Sequence, residues 1–196
     1  YMEIRSNVSD FLELCYDSDK AARVTLQPIE RYGFDAAILF SDILVLPHAI
    51  GWDVAFKKGE GPVLEKFKTE KDLLKLSDNF SDKINNIYET VSKVKSSLPK
   101  HVSLIGFAGS PWTVISYMLE GKGKQDFSTS KGFLYNDYPT AIKLFDIITE
   151  KTIEYLSGQI DAGADVIQLF DSWSGMLNGF NYEEFVIKPT RKIVDS

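Results

Sequence analysis

Asp42 lies in the stretch FSDILVLP (40–47), directly after the apolar run DAAIL (35–39). An unpaired charge in apolar surroundings is costly. This carboxylate therefore needs a donor, caps a helix, or serves chemistry. As a cap it would open a helix over ILVLPHAIG, where acidic residues are favoured by the helix dipole. As a functional group it would sit at the bottom of a largely apolar pocket. There it would accept hydrogen bonds from ligand N–H groups and stabilise positive charge formed during a reaction. Tyr117, in GSPWTVISYMLEG, is either a core tyrosine of an amphipathic helix or a phenol that bonds a substrate carboxylate or orients Asp42. Ser172, in LFDSWSG, is a turn or cap residue, or a donor to a substrate carboxylate. It lacks the Gly-x-Ser-x-Gly elbow and an adjacent histidine base, so a nucleophile is not indicated.

The remaining reactive types read as structural. His48 falls in a loop, and His101 precedes a strand at the end away from the candidate site. Cys15, in FLELCYD, reads as a buried helix thiol, because a reactive cysteine needs a site that favours the thiolate. The glycine-rich loop EGKGKQDF (120–127) follows a helix instead of joining a strand to a helix, so it is not a nucleotide fingerprint. It is a connector, or a lid whose Lys122 or Lys124 approaches an anionic ligand. No group of Cys, His and acidic residues has metal-site spacing.

The elements that must position these residues alternate. Residues 18–32 read as a helix with Ser18 or Asp19 as N-cap, Pro28 as a kink and Gly33 as the stop. A strand follows at 35–40. Residues 48–68 read as irregular, with KKGEGP as a turn cluster. Helices are expected at 70–76 and 81–98, the second with Ile84, Ile87, Val91 and Val94 on one face. Residues 102–109 read as a strand, and a helix begins at Ser110 (N-cap) and Pro111. A long amphipathic helix spans 138–162 and stops at Gly163. A strand at 165–170 and a helix at 181–195, containing Pro189, complete the pattern. Strands alternating with helices imply a parallel sheet. An internal echo agrees: Gly33-x-Asp35-x-x-x-Leu39-Phe40 recurs as Gly163-x-Asp165-x-x-x-Leu169-Phe170. The echo puts Asp42, Asp171 and Ser172 at the carboxyl ends of strands, where parallel α/β folds bind ligands. A doubly wound sheet satisfies the pattern alone. An eight-stranded barrel needs about 250 residues, so a barrel would be represented here by its first half or slightly more.

The bulk properties narrow the function. The chain has 196 residues and a net charge of −6, with four scattered arginines (Arg5, Arg23, Arg31, Arg191). That is no nucleic-acid surface, which needs a basic stripe. No apolar run approaches the roughly 20 residues of a membrane span. The single cysteine suits a cytoplasmic protein. The chain starts at Tyr1 and stops at Ser196 within a helical pattern, so we read it as one partial domain, truncated at both ends.

Three blocks, TLQPIERYGFDAAILFSDILVLPHAIGWDV, LIGFAGSPWTVISYMLEGKG and GADVIQLFDSWSG, resemble the uroporphyrinogen decarboxylases, in order and over nearly the whole chain. The resemblance implies a (β/α)8 barrel, cytoplasmic and homodimeric when full length, without metal or organic cofactor. It implies conversion of the four acetate side chains of uroporphyrinogen to methyl groups in haem biosynthesis. Carried over residue by residue, the family's active-site aspartate falls on Asp42, flanked by Ser41 and Ile43. Its substrate-binding tyrosine falls on Tyr117 and its small hydroxyl residue on Ser172. Phe107 and Phe170 match apolar cleft residues, and Arg5 aligns with the end of a basic segment.

The family's arginine-rich segment ahead of Tyr1 and its late histidine are not in this sequence, so this piece is expected to be inactive alone. Two other readings stand beside the decarboxylase. Cobalamin-linked methyltransferases share the barrel but hold zinc with His and Cys. A non-catalytic binding domain would explain the missing arginines.

Overall fold

The computed structural model describes residues 1–57, 59–77, 80–123 and 126–196. Lys58 of the expected turn cluster and Lys124 of the glycine-rich loop lie outside the described residues. The chain opens with short helices α1 (Met2–Ser6) and α2 (Phe11–Tyr16), followed by α3 (Ser18–Tyr32). Asp10 caps α2 by accepting from the Leu12 amide. Asp17, one residue ahead of the expected Ser18, caps α3 by accepting from the Lys20 amide. Gly33, at φ 65°, closes α3 in the left-handed conformation that glycine adopts without strain.

Three parallel strands form the sheet: β1 (Ala36–Ile38), then β4 and β5 after intervening elements. Between β1 and β4 come α4 (Val45–Ala49), the antiparallel pair β2 (Val54–Lys57) and β3 (Gly61–Leu64), a 3₁₀ turn (Glu70–Lys75) and α5 (Ser81–Ser97). β4 covers Ser103–Gly109 and β5 Val166–Phe170; α6 (Pro111–Glu120), α7 (Ser128–Asn136) and α8 (Tyr138–Asp161) connect them. After β5 come a 3₁₀ turn (Ser174–Met176), α9 (Gly179–Tyr182), a π-helical turn (Glu183–Ile187) and α10 (Lys188–Asp195). The sheet order is β1-β4-β5, with Ile38 opposite Ile105 and Ile105 opposite Val166. The sheet thus grows in one direction as the chain advances. A doubly wound sheet would reverse direction at a switch point.

Three sequence expectations are corrected. Residues 48–68 contain the β2–β3 pair, which is short and carries Pro62, so no alternation announces it. The 70–76 helix is a 3₁₀ turn. The expected single helix at 181–195 is broken by the π turn just ahead of Pro189. Proline cannot donate to the carbonyl four residues earlier, and a wider turn accommodates that.

The core lies between the sheet and its helices. Ile84, Ile87, Val91 and Val94 of α5 are at most 1% exposed, as are Leu104, Trp112 and Ile115. α5 packs on α3, and α8 packs on β4, β5 and α6. Gln159 of α8 reaches into this layer. Its Oε1 accepts from the Phe107 amide and its Nε2 donates to the Phe107 carbonyl, both at 2.9 Å. The last β1 ladder bond runs from Leu39 N to Ile105 O, so Gln159 serves the backbone of β4 beyond the point where β1 ends.

Candidate functional site

The ends of the three strands converge. Phe40, leaving β1, donates its amide to Thr25 Oγ1 of α3 at 2.8 Å, which turns the chain out of the sheet. Asp42 follows two residues later. Its Oδ1 accepts from the Leu44 amide at 2.8 Å and its carbonyl accepts from the Val45 amide at 3.3 Å. The carboxylate thus pairs with a nearby backbone donor, the Leu44 amide, in the turn ahead of α4, but it does not cap that helix, whose N-cap is Leu44 without a side-chain cap bond. Among the described residues that amide is its one donor, and no cation compensates it. Burial pushes the carboxyl up to about 6, against a partial lowering by the Leu44 amide.

The second wall comes from α6 and the turn after β5. Ser110 closes β4 onto β5 by donating its amide to the Phe170 carbonyl at 2.7 Å. Thr113 donates to Asp171 Oδ1 at 2.8 Å, and the Trp112 indole N–H donates to the Trp173 carbonyl at 2.9 Å. These bonds fix the 171–173 turn against α6. Trp173 then packs on Tyr117 at a tilt of 42°, ring centroids 4.5 Å apart, and meets Phe127 at 4.9 Å. Burial, with the Asp42 charge adding to it, raises the Tyr117 phenol above its usual pKa. Tyr117 and Asp42 thus face the same space. The Tyr117 hydroxyl has no hydrogen-bond partner among the described residues.

A largely apolar cavity of about 470 Å³ is lined by Phe40, Ser41, Phe107 and Phe170 together with β1 and α3 side chains; Asp42, Ile43 and Tyr117 are not among its lining residues. Phe107 and Phe170 meet edge to face at 5.4 Å. Ile43 packs on Gly109, at the end of β4. Ser172 is exposed and does not line this cavity. Arg5 donates to the Val8 carbonyl at 3.3 Å; its charge bears on Cys15, which also feels Asp42.

His48 and Cys15 take structural positions. His48 Nδ1 pairs with the Tyr16 hydroxyl at 2.9 Å, and Cys15 is buried with its thiol pushed far up by desolvation. No group of three or more His, Cys, Asp or Glu among the described residues is arranged to hold a metal ion.

Sequence reasoning missed Tyr155 of α8. Its hydroxyl is fully buried; burial raises the phenol far above its usual pKa, the nearby Ser41 hydroxyl opposes this in part, and the Asp42 charge adds to the rise. Neither hydroxyl completes a hydrogen bond. A signal was available: Tyr155 and Gln159 place polar atoms four residues apart on the inner stripe of an amphipathic helix, where apolar side chains are the rule.

Comparison with known proteins bears on this geometry. The family model described as uroporphyrinogen decarboxylase (URO-D) matches residues 1–196. A uroporphyrinogen decarboxylase of Rickettsia bellii (strain RML369-C) is 59% identical over 196 residues, covering 100% of this chain and 58% of the relative. That of Rickettsia felis (strain ATCC VR-1525 / URRWXCal2) is 58% identical over 194 residues, covering 99% and 56%. The chain thus spans less than two thirds of the curated relatives it matches. Among solved structures, a methyltransferase from Methanosarcina mazei superposes with a TM-score of 0.76 at 21% identity, over 99% of this chain and 58% of that one. That likeness shows the fold alone, an α/β barrel architecture to which this chain contributes the β1-β4-β5 arc.

Proposed function

Because the chain belongs to the uroporphyrinogen decarboxylase family, we propose that the protein of which it forms part removes carbon dioxide from the four acetate side chains of uroporphyrinogen, giving coproporphyrinogen. The observation that carries this reading is the 59% identity over 196 residues. In this reading residues 1–196 supply part of a single barrel domain, and the complete protein is a cytoplasmic homodimer acting on a tetrapyrrole, with no nucleic-acid partner and no organic cofactor. No described helix is long and apolar enough to cross a membrane.

The chemistry follows from the substrate. A pyrrole acetate cannot simply lose carbon dioxide, because the electrons of the breaking carbon–carbon bond need a sink. Protonation of the ring carbon next to the one that bears the acetate makes a cationic, iminium-like ring, with part of the charge on the acetate-bearing carbon. Loss of carbon dioxide sends the electron pair into that ring and neutralises it. A second proton, delivered to the exocyclic carbon with loss of the ring proton, leaves a methyl group. Asp42 would accept from the inward-facing pyrrole N–H groups and, once ionised, favour the cation. Its free carboxyl near 6 changes on binding: the donors and the developing cation lower it, so the charged form is present when it is needed. Tyr117 would donate to a substrate carboxylate. Ser172, with an exposed hydroxyl, would do so from the opposite strand end. Phe107, Phe170, Ser41 and Ile43 would form the apolar wall, and Arg5 would contribute positive potential for an octa-anionic substrate.

The direct test incubates the full-length protein with uroporphyrinogen under reducing, anaerobic conditions and weighs the oxidised products. Stepwise loss of four carbon dioxide units is expected. Recovery of unchanged substrate, or stoichiometric zinc with methyl transfer, would reject the decarboxylase in favour of the related methyltransferases.

A further inference from the structure

Gly123 lies directly against the Tyr117 phenol. A Cβ at that position would meet the Tyr117 hydroxyl oxygen and Cε1 at 3.2 Å each. That is closer than side chains ordinarily pack, so the phenol would have to give way by a few tenths of an ångström. It has little room to do so, because the tilted Trp173 ring packs against the same ring, centroids 4.5 Å apart. The backbone does not explain the glycine, since its φ lies outside the left-handed region. The segment that carries it is also held in place. α6 ends at Gly121 (φ 77°), whose carbonyl accepts from the Leu64 amide at 2.8 Å, and Lys122 bridges to Val63 of β3. The β2–β3 pair therefore clamps the chain that passes over the phenol. The hydroxyl beneath it is unpartnered among the described residues and can donate to a ligand.

We infer that Gly123 is a specificity-determining position: its missing side chain keeps the Tyr117 hydroxyl open to a carboxylate of the substrate. This rests on the decarboxylase reading and on Tyr117 as a substrate donor. A methyl group at residue 123 occupies one approach to the hydroxyl and shifts the donor, and a branched side chain closes that approach.

The test uses the full-length protein and steady-state decarboxylation of uroporphyrinogen, with Gly123→Ala, Gly123→Val, Tyr117→Phe and the double variant Gly123→Ala/Tyr117→Phe. A hydrogen bond to a charged group sets the scale, about tenfold in KM for Tyr117→Phe. Gly123→Ala is expected to raise KM about threefold and Gly123→Val at least as much as Tyr117→Phe, each acting on KM more than on kcat. In the Tyr117→Phe background, Gly123→Ala is expected to add nothing, because the donor it obstructs is gone. Should Gly123→Val fail to fold, the alanine pair still decides. An unchanged KM for Gly123→Ala where Tyr117→Phe raises it overturns the inference alone, as does an equal penalty in both backgrounds. No decarboxylation by the unsubstituted protein overturns the decarboxylase reading instead.

Discussion

Burial holds the Asp42 carboxyl at about 6, and the Leu44 amide is its one donor among the described residues. Between the ordinary carboxylate value near 4 and about 6, the folded protein binds more protons here than the unfolded chain. Stability therefore falls as pH rises through that window, and the penalty is complete above it. A shift of this size corresponds to roughly 2–3 kcal/mol. Asparagine keeps the acceptor for Leu44 and carries no charge. In urea unfolding of the full-length protein at pH 7.5, Asp42→Asn is expected to be more stable than the unsubstituted protein, with the difference vanishing near pH 4; equal stability at pH 7.5 would mean that the carboxylate is already compensated. The same group should shape the kinetics. The acid limb of kcat/KM is expected at about 6, and that of kcat lower, because bound N–H donors favour the anion. Tyr117→Phe removes a hydroxyl without a partner among the described residues, so unfolding should change by less than about 0.5 kcal/mol while binding weakens.

The strand ends are held by bonds between elements distant in sequence, and these were the least legible features. Helix α5 was readable because Ile84, Ile87, Val91 and Val94 repeat at the helical period, and all four are buried. The three strands were readable because each apolar run ends in a polar turn. The Gln159 clamp on Phe107 was not readable: the inner stripe of α8 marks the glutamine as buried, but its partner lies 52 residues away in sequence. The β2–β3 pair was hidden by its brevity and Pro62. Helix α7, STSKGFLYN, was hidden by serine, threonine and glycine, whose low helix propensity is overridden by packing on α6 and α8. Of the candidate site, the strand-end placing of Asp42, Phe107 and Phe170 was legible, whereas the tilted Trp173 contact on Tyr117 needed the fold. The clamp has a measurable consequence. Gln159→Leu leaves a buried amide and carbonyl of Phe107 unpaired, at about 1–3 kcal/mol each. Gly106→Ala would drive a methyl to 2.5 Å from the Gln159 oxygen. Both are expected to lower the unfolding midpoint markedly; a melting temperature within a degree of the parent for Gln159→Leu would show that the clamp contributes nothing.

On the scale of the molecule, β1 and β5 each pair on one side only among the described residues, and Ile38 (56% exposed) and Val166 (49%) stand open on them. Unpaired parallel strands with apolar faces recruit other chains. The 196 residues expressed alone are therefore expected to self-associate in sedimentation velocity, increasingly with concentration, and Ile38→Lys should reduce this; a monodisperse monomer would show that the edges are protected. The curated relatives extend well beyond the matched region. The account turns on the Asp42 carboxylate. Its most direct test is single-turnover decarboxylation of uroporphyrinogen by the full-length Asp42→Asn variant, with folding checked by circular dichroism. A folded protein whose rate falls by about 10²–10³, the scale for losing a preorganised charge stabiliser, is the expected result. A folded variant that decarboxylates at near the unsubstituted rate would contradict it.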